Sequence, residues 1–263
     1  MDPAPVRLVP RAVPKVWGAT KLEPWHRDAR EKIGEIWLEH PEGVRLPLLV
    51  KFLYTSEALS VQVHPGDDYA GRHENSCGKT EMWVILRAEP GARIAHGLLQ
   101  AVSRERLREA ALSGEIEHLL NWVPAKAGDV LFTPAGVIHA IGGGIALCEI
   151  QQNSDVTYRL YDYGRPRELH IEKAIEVSRL EPGPEPVMPE RLGQGRELVA
   201  RCEHFAVERL RLEQGTELDL TGGLILIVLE GAALTPGDAW LIPPGQHHTL
   251  RTDGDAVLLT ARF

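Results

Sequence analysis

The sequence predicts a mainly β protein of two jelly-roll barrels, with a small helical insertion in or beside the first, and three observations lead there. Short runs of alternating apolar and polar residues, bounded by turn residues, recur from Gly34 onward. Helical periodicity stands out only over about residues 98–122. One strand–turn–strand pattern occurs twice: Gly128-Asp129, Pro134, Gly136 and His139 recur in register as Gly237-Asp238, Pro243, Gly245 and His248. Two copies of one barrel unit account for that repeat.

Residues 1 to about 30 are proline-rich and read as irregular, with Trp17 and Trp25 as anchors onto the first sheet. Three β-like runs follow: Glu35–Glu39, Leu46–Tyr54 and Leu59–His64. In the third, Leu59, Val61 and Val63 share one face and Ser60, Gln62 and His64 the other, because side chains on a strand repeat every second residue. A loop over residues 65–78 leads to Lys79–Leu86, where Lys79, Glu81 and Trp83 share a face. If these two runs pair in one sheet, Gln62, His64 and Glu81 converge. Ser103 is a fitting N-cap for a helix that Ser113-Gly114 ends, and residues 115–123 read as a second short helix.

The ribbon from Gly128 to Arg165 then turns at Pro134-Ala135-Gly136 and returns from His139 through Gln151, with Gly142-Gly143-Gly144 marking a bulge or bend. Residues 168–180 fit helix or strand equally well. Four prolines and three glycines between 181 and 197 mark a linker. The expected division is therefore a catalytic unit over 1–180, a linker over 181–197 and a second β unit over 198–263. That second unit offers Leu224–Leu234 where the first has its Gln62 and His64, so it is expected to hold no metal.

The balance of 37 acidic against 29 basic residues, with no run of like charge, argues against nucleic-acid binding. No stretch is long and apolar enough for a membrane span or a signal peptide, so a soluble cytoplasmic protein is expected. The three cysteines have no paired spacing and suggest neither disulfides nor a structural zinc knuckle. The histidines at 26, 73, 96, 118, 247 and 248 lack ligand partners in the pattern and read as surface or core residues.

Gly128, Pro134 and His139 match the second signature of the cupin superfamily. The first signature is altered, since Gln62 replaces its first histidine and sixteen residues separate His64 from Glu81. With PKVWG at 14–18, LPLLVKFL at 46–53, LSVQVHP at 59–65, GKTEMWVIL at 78–86, PAGVIHAI at 134–141 and EIQQNSDVTYRLYD at 149–162, the chain resembles the type I phosphomannose isomerases in their short bacterial form. That resemblance implies a cupin fold and interconversion of mannose 6-phosphate and fructose 6-phosphate through an enediol. It also implies one Zn²⁺ per chain on Gln62, His64, Glu81 and His139, although cobalt, manganese or iron suits such ligands and Gln62 could instead orient substrate. Arg159 matches the family's catalytic arginine, and Ser60 and Arg165 match its phosphate contacts. The base remains open among Glu149, Lys51 and Lys79; Lys51 lies in an apolar run where burial lowers a lysine pKa, or it merely pairs with a carboxylate. Other cupin metalloenzymes acting on a sugar phosphate, and non-catalytic sugar-binding cupins, are the competing readings. The expected partner is a small-molecule sugar phosphate; oligomeric state is left open.

Overall fold

Alternation along the strands sorts side chains onto two faces, and in the central sheets both faces find cover. The computed structural model describes residues 4–185 and 187–263. Strands β1 (Val6–Arg7), β2 (Val9–Ala19), β3 (Ile33–Glu39), β4 (Leu48–Tyr54) and β5 (Val61–Val63) precede helix α1 (Asp67–His73). Strands β6 (Glu81–Ala88) and β7 (Arg93–Leu98) lead to helices α2 (Arg104–Ser113) and α3 (Ile116–Leu119). Next come β8 (Leu120–Pro124), β9 (Val130–Thr133), β10 (His139–Ile141), β11 (Ile145–Gln152), β12 (Tyr158–Tyr161) and helix α4 (Ile171–Val177). The chain ends with β13 (Glu190–Gly193), β14 (Arg196–Arg201), β15 (Ala206–Leu212), β16 (Glu217–Thr221), β17 (Leu224–Gly231), β18 (Ala239–Ile242), β19 (His247–Arg251) and β20 (Ala256–Arg262).

The mainly β expectation holds: the strands form open sheets stacked face to face. A five-stranded sheet runs β12-β5-β10-β7-β8, a six-stranded sheet β2-β3-β4-β11-β6-β9, and a seven-stranded sheet β1-β18-β17-β20-β15-β14-β13, beside the pair β16-β19. Val61, Val63, Ala95, Ala140 and Leu160 turn the outer face of the five-stranded sheet onto Leu107, Ala110, Ile116 and Ala174 of the helices. Its inner face meets the six-stranded sheet through Ile94 and Ile141 against Leu53, Trp83, Ile85 and Leu147. The far face of that second sheet, with Phe52, Met82, Val84, Cys148 and Ile150, shares a core with Val207, Ile225, Ile227 and Leu259 of the seven-stranded sheet. Each layer is held by burial of about 1.5–3 kcal/mol per large apolar side chain.

Several local expectations need correction. The proline-rich start is not irregular, because β2 is an edge strand whose outward side needs no donor, so Pro10 and Pro14 fit. The stretch 65–78 contains α1, with Asp67 and Asp68 in its first turn and Arg72 and His73 in its last, as the helix dipole favours. Ser103 caps α2, its hydroxyl accepting from the Arg106 N–H at 3.1 Å, and Gly114 ends it with φ of 85°. The second helix stops at Leu119, and residues 120–124 pair with β7 instead. Residues 168–180 resolve into α4. Gly142-Gly143-Gly144 is a crossing between sheets, not a bulge in one ribbon: β10 belongs to the five-stranded sheet and β11 to the six-stranded one. A Cβ on Gly142 would lie 2.4 Å from the Arg93 oxygen and one on Gly143 would lie 2.8 Å from the Ser56 oxygen, so only glycine passes between these backbones.

Strand β1 adds to the seven-stranded sheet beside β18, and β13 lies within residues 181–197. Among the described residues no helix is long and apolar enough to cross a membrane.

Candidate metal centre

Because Val61, Val63, Ala95, Ala140 and Leu160 point to the helices, their neighbours Gln62, His96, His139 and Arg159 point inward. Register sets them in one row across the sheet: Arg159 is the partner of Gln62, Gln62 of His139, and His139 of His96. The facing sheet supplies a second set by the same rule. Met82, Val84, Cys148 and Ile150 point away, so Glu81, Trp83 and Glu149 point in, and Lys51 is the cross-strand partner of Glu149. Gln62 and His64 therefore meet Glu81 from opposite sheets, not from one.

His64, Glu81 and His139 are each 1% exposed, and one ligand atom from each lies within 4.8 Å of the others. His64 Nε2 is 3.5 Å from Glu81 Oε2, and His139 Nε2 is 3.4 Å from Glu81 Oε1. Both imidazoles use their other nitrogen for a backbone carbonyl: His64 Nδ1 donates to the Val156 oxygen and His139 Nδ1 to the Val137 oxygen, each at 2.9 Å. This arrangement selects the tautomer that turns a lone pair inward, as metal-binding histidines require. Burial and the Lys79 charge push His64 down to about 3, and burial brings His139 to about 4, so both rings are neutral near pH 7.

Burial alone would raise the Glu81 carboxyl, but the Lys79 charge holds it well below the usual carboxylate range. Lys79 Nζ lies 2.9 Å from Glu81 Oε2 and 2.9 Å from His64 Nε2. Even so, neither Glu81 oxygen has an aligned hydrogen-bond donor. Lys79 already gives Oε2 an ionic partner, but no aligned donor reaches either oxygen and two imidazole lone pairs converge on the carboxylate, so the residues present fit a divalent ion with N and O ligands. Gln62 currently turns its amide nitrogen to His139 Nε2 at 3.3 Å and accepts from the Ser60 hydroxyl at 3.1 Å. Its oxygen reaches the same centre only with the amide turned over.

Behind this cluster lies a second polar group. Trp83 stands edge-on to His139 with ring centroids 5.3 Å apart and donates its indole N–H to Glu149 at 2.9 Å. Burial and the Glu81 charge raise the Glu149 carboxyl above its ordinary value. Lys51 is 3.6 Å from Glu149, 3.9 Å from Glu35 and 3.9 Å from Asp155, and lies over the Trp37 ring. It is buried among carboxylates, not in an apolar setting. Burial opposes the Lys79 charge, yet Glu81 and Glu149 outweigh it and hold the ammonium above the usual lysine range.

On β12 and just after it, Arg159 Nε and Arg165 Nη1 are buried without hydrogen-bond partners. Arg165 donates to the Ala58 carbonyl at 2.6 Å and pairs with Asp162 at 3.2 Å, and Arg167 grips the same carboxylate with a two-pronged contact. His96, read from the sequence as a surface or core residue, is core, 5% exposed, and its place as the inward neighbour of His139 is what sequence reasoning misses. That reasoning has no strand over residues 93–98, where the register shift around Gly97 carries Leu98 to the helix side and leaves only Ile94 and His96 alternating inward.

No model of a known protein family matches the chain. The mannose-6-phosphate isomerase of Streptococcus mutans is 34% identical over 94% of each chain, and the mannose-6-phosphate isomerase ManA of Bacillus subtilis is 38% identical over 83% of this chain and 75% of its own. The chain belongs to the mannose-6-phosphate isomerase family. A crystal structure of a mannose 6-phosphate isomerase from Bacillus subtilis superposes on this family member with a TM-score of 0.86 at 30% identity, covering 99% of this chain and 100% of that one. A solved structure from Archaeoglobus fulgidus shares the fold at 19% identity and a TM-score of 0.78.

Proposed function

We propose that the chain is a metal-dependent aldose–ketose isomerase that interconverts mannose 6-phosphate and fructose 6-phosphate through an enediol. Support comes from its membership of the mannose-6-phosphate isomerase family, and one observation carries the metal dependence: two neutral imidazole lone pairs converge on a fully buried carboxylate that has no aligned donor at either oxygen. His64, Glu81 and His139 would hold the ion, zinc at one per chain, with the Gln62 amide oxygen as the further ligand. When bound, the ion supplies Lewis-acid stabilisation of the negative charge that develops on the sugar oxygens.

The remaining residues divide the work by charge state. Glu149, raised by burial, is the group offered to carry a proton between C1 and C2, with Trp83 orienting its carboxyl. Lys79 stays an ammonium and steadies developing oxyanion charge beside Glu81. Lys51 holds Glu149 and Glu35 in place across the sheet. Arg159 presents a permanent cation beside Gln62, and Ser60 and Arg165 contact the phosphate. The unit over 1–180 performs the chemistry, 181–197 links it onward, and 198–263 carries no metal. The substrate is a soluble sugar phosphate, and we place the protein in the cytoplasm.

The test is a coupled assay for fructose 6-phosphate on protein before and after chelation, with metal content measured in parallel. The expected result is loss of turnover with loss of one equivalent of metal and recovery on adding zinc; full activity in metal-free protein refutes the reading.

A further inference from the structure

Arg159 sits on β12, the edge strand of the five-stranded sheet. Antiparallel partners alternate between pairs that exchange both backbone hydrogen bonds and pairs that exchange none, whose side chains lie closer together. Arg159 and Gln62 are of the second kind, because the Arg159 N–H and carbonyl turn outward, away from β5. His170 receives both. Its Nδ1 accepts the Arg159 N–H at 3.2 Å, and its own N–H donates to the Arg159 carbonyl at 2.8 Å.

His170 is itself anchored. It stands at the start of α4, whose Ala174 and Ile175 are buried against the five-stranded sheet, and Ala174 donates its N–H back to the His170 carbonyl at 2.8 Å. Its Nε2 faces Glu168 at 4.0 Å, which suits the tautomer with the proton there and a lone pair on Nδ1. The Arg159 Nε meanwhile has no partner, so the guanidinium is placed largely by the backbone beneath it.

We propose that His170 is a positioning residue for Arg159: its imidazole completes the edge of β12 and so fixes the distance of the guanidinium from the Gln62–His139 row. This rests on the isomerase reading and on the role given there to Arg159. Without the acceptor, the Arg159 N–H is left unpaired at a sheet edge, and the strand gains freedom where an error of about 1 Å costs orders of magnitude in rate.

The test uses full-length, metal-loaded protein and the coupled assay. His170→Leu lowers kcat about tenfold, with metal content and urea midpoint unchanged. His170→Asn, whose amide oxygen falls where Nδ1 was, stays within about threefold of the wild type. In an Arg159→Ala background, His170→Leu changes turnover less than about twofold, the non-additivity expected of residues acting as one unit. Full activity in His170→Leu, or the same loss in both backgrounds, overturns the proposal. Should His170→Leu fail to fold, His170→Gln decides: its amide reaches the Nε2 position instead, and activity equal to His170→Asn is again fatal. If the wild type itself does not interconvert the two sugar phosphates, the isomerase reading falls and takes this role with it; an active wild type beside a fully active leucine variant refutes the role of His170 alone.

Discussion

The two copies of the Gly–Pro–Gly–His repeat make the same backbone and different interiors. Gly128 and Gly237 have φ of 91° and 89°, and Gly136 and Gly245 have 88° and 80°, so each copy bends twice where only glycine is comfortable. Each also pairs its first strand alike: Glu81, Met82, Trp83 and Val84 oppose Thr133, Phe132, Leu131 and Val130, while Leu224, Ile225, Leu226 and Ile227 oppose Ile242, Leu241, Trp240 and Ala239. Leu224 therefore stands where Glu81 stands. His139 faces Gln62 across its sheet, whereas His248 faces Leu220 and is exposed. Two residues after Leu220, at the place corresponding to His64, is Gly222, whose Cβ would lie 1.8 Å from the Pro243 oxygen. The interior of the second copy is aliphatic, filled by Leu212, Leu220, Leu224, Leu226 and Leu258. The repeat thus encodes bends, and the candidate metal site is written in residues that mostly lie outside it.

The sharpest way to break that comparison is to give the first copy the second copy's residue. Glu81→Leu should abolish metal binding and reduce turnover by about 10³-fold or more, read by metal analysis and coupled assay; retained metal would show that the carboxylate is not what separates the copies. Arg159→Ala, which touches only the catalytic copy's row, should lower kcat by about 10²-fold with metal still near one per chain. Metal lost along with activity would make this arginine part of the fold.

Acid should expose the next difference. In metal-free protein His64, His96 and His139 are held at about 3, 4 and 4, against an ordinary 6.5 unfolded, and the unfolded chain therefore binds more protons below that value. Their contribution is complete above pH 6.5 and is lost as pH falls toward 4. Urea midpoints of chelated protein should drop between pH 7.5 and 5; a rise would contradict the buried neutral rings. Gln62→Leu, which imports the partner of His248, should weaken metal affinity about tenfold, visible in zinc titration against a competing chelator. Smallest of all, His248→Ala should move turnover less than about twofold. A large effect would mean that the second copy takes part in the chemistry.

Much of the inward face of the site is legible in the sequence, because period two fixes which residues share a side: Ser60, Gln62 and His64 on one strand, Lys79, Glu81 and Trp83 on another. Which sheet each strand joins is not legible. Alternation specifies a face but no partner, and so the meeting of Gln62 with Glu81 across two sheets, and the crossing at Gly142–Gly144, emerge only in three dimensions. Strand β2 is hidden by prolines that an edge position tolerates. The His170 contact is hidden for another reason: it joins the backbone of one residue to a side chain eleven positions on, and neither periodicity nor motif records such a bond.

The shared core of the six- and seven-stranded sheets gives the silent copy a purpose that chemistry does not. Phe52, Met82, Val84 and Ile150 form the outer wall of the half that holds the candidate metal centre, and Ile225, Ile227 and Leu259 keep water from it. A chain terminated after residue 180 would bare that wall, and would also strand Val6 and Arg7, which zip onto β18. Such a fragment should collect in inclusion bodies even with His64, Glu81 and His139 intact, because the C-terminal third supplies the other side of that shared core.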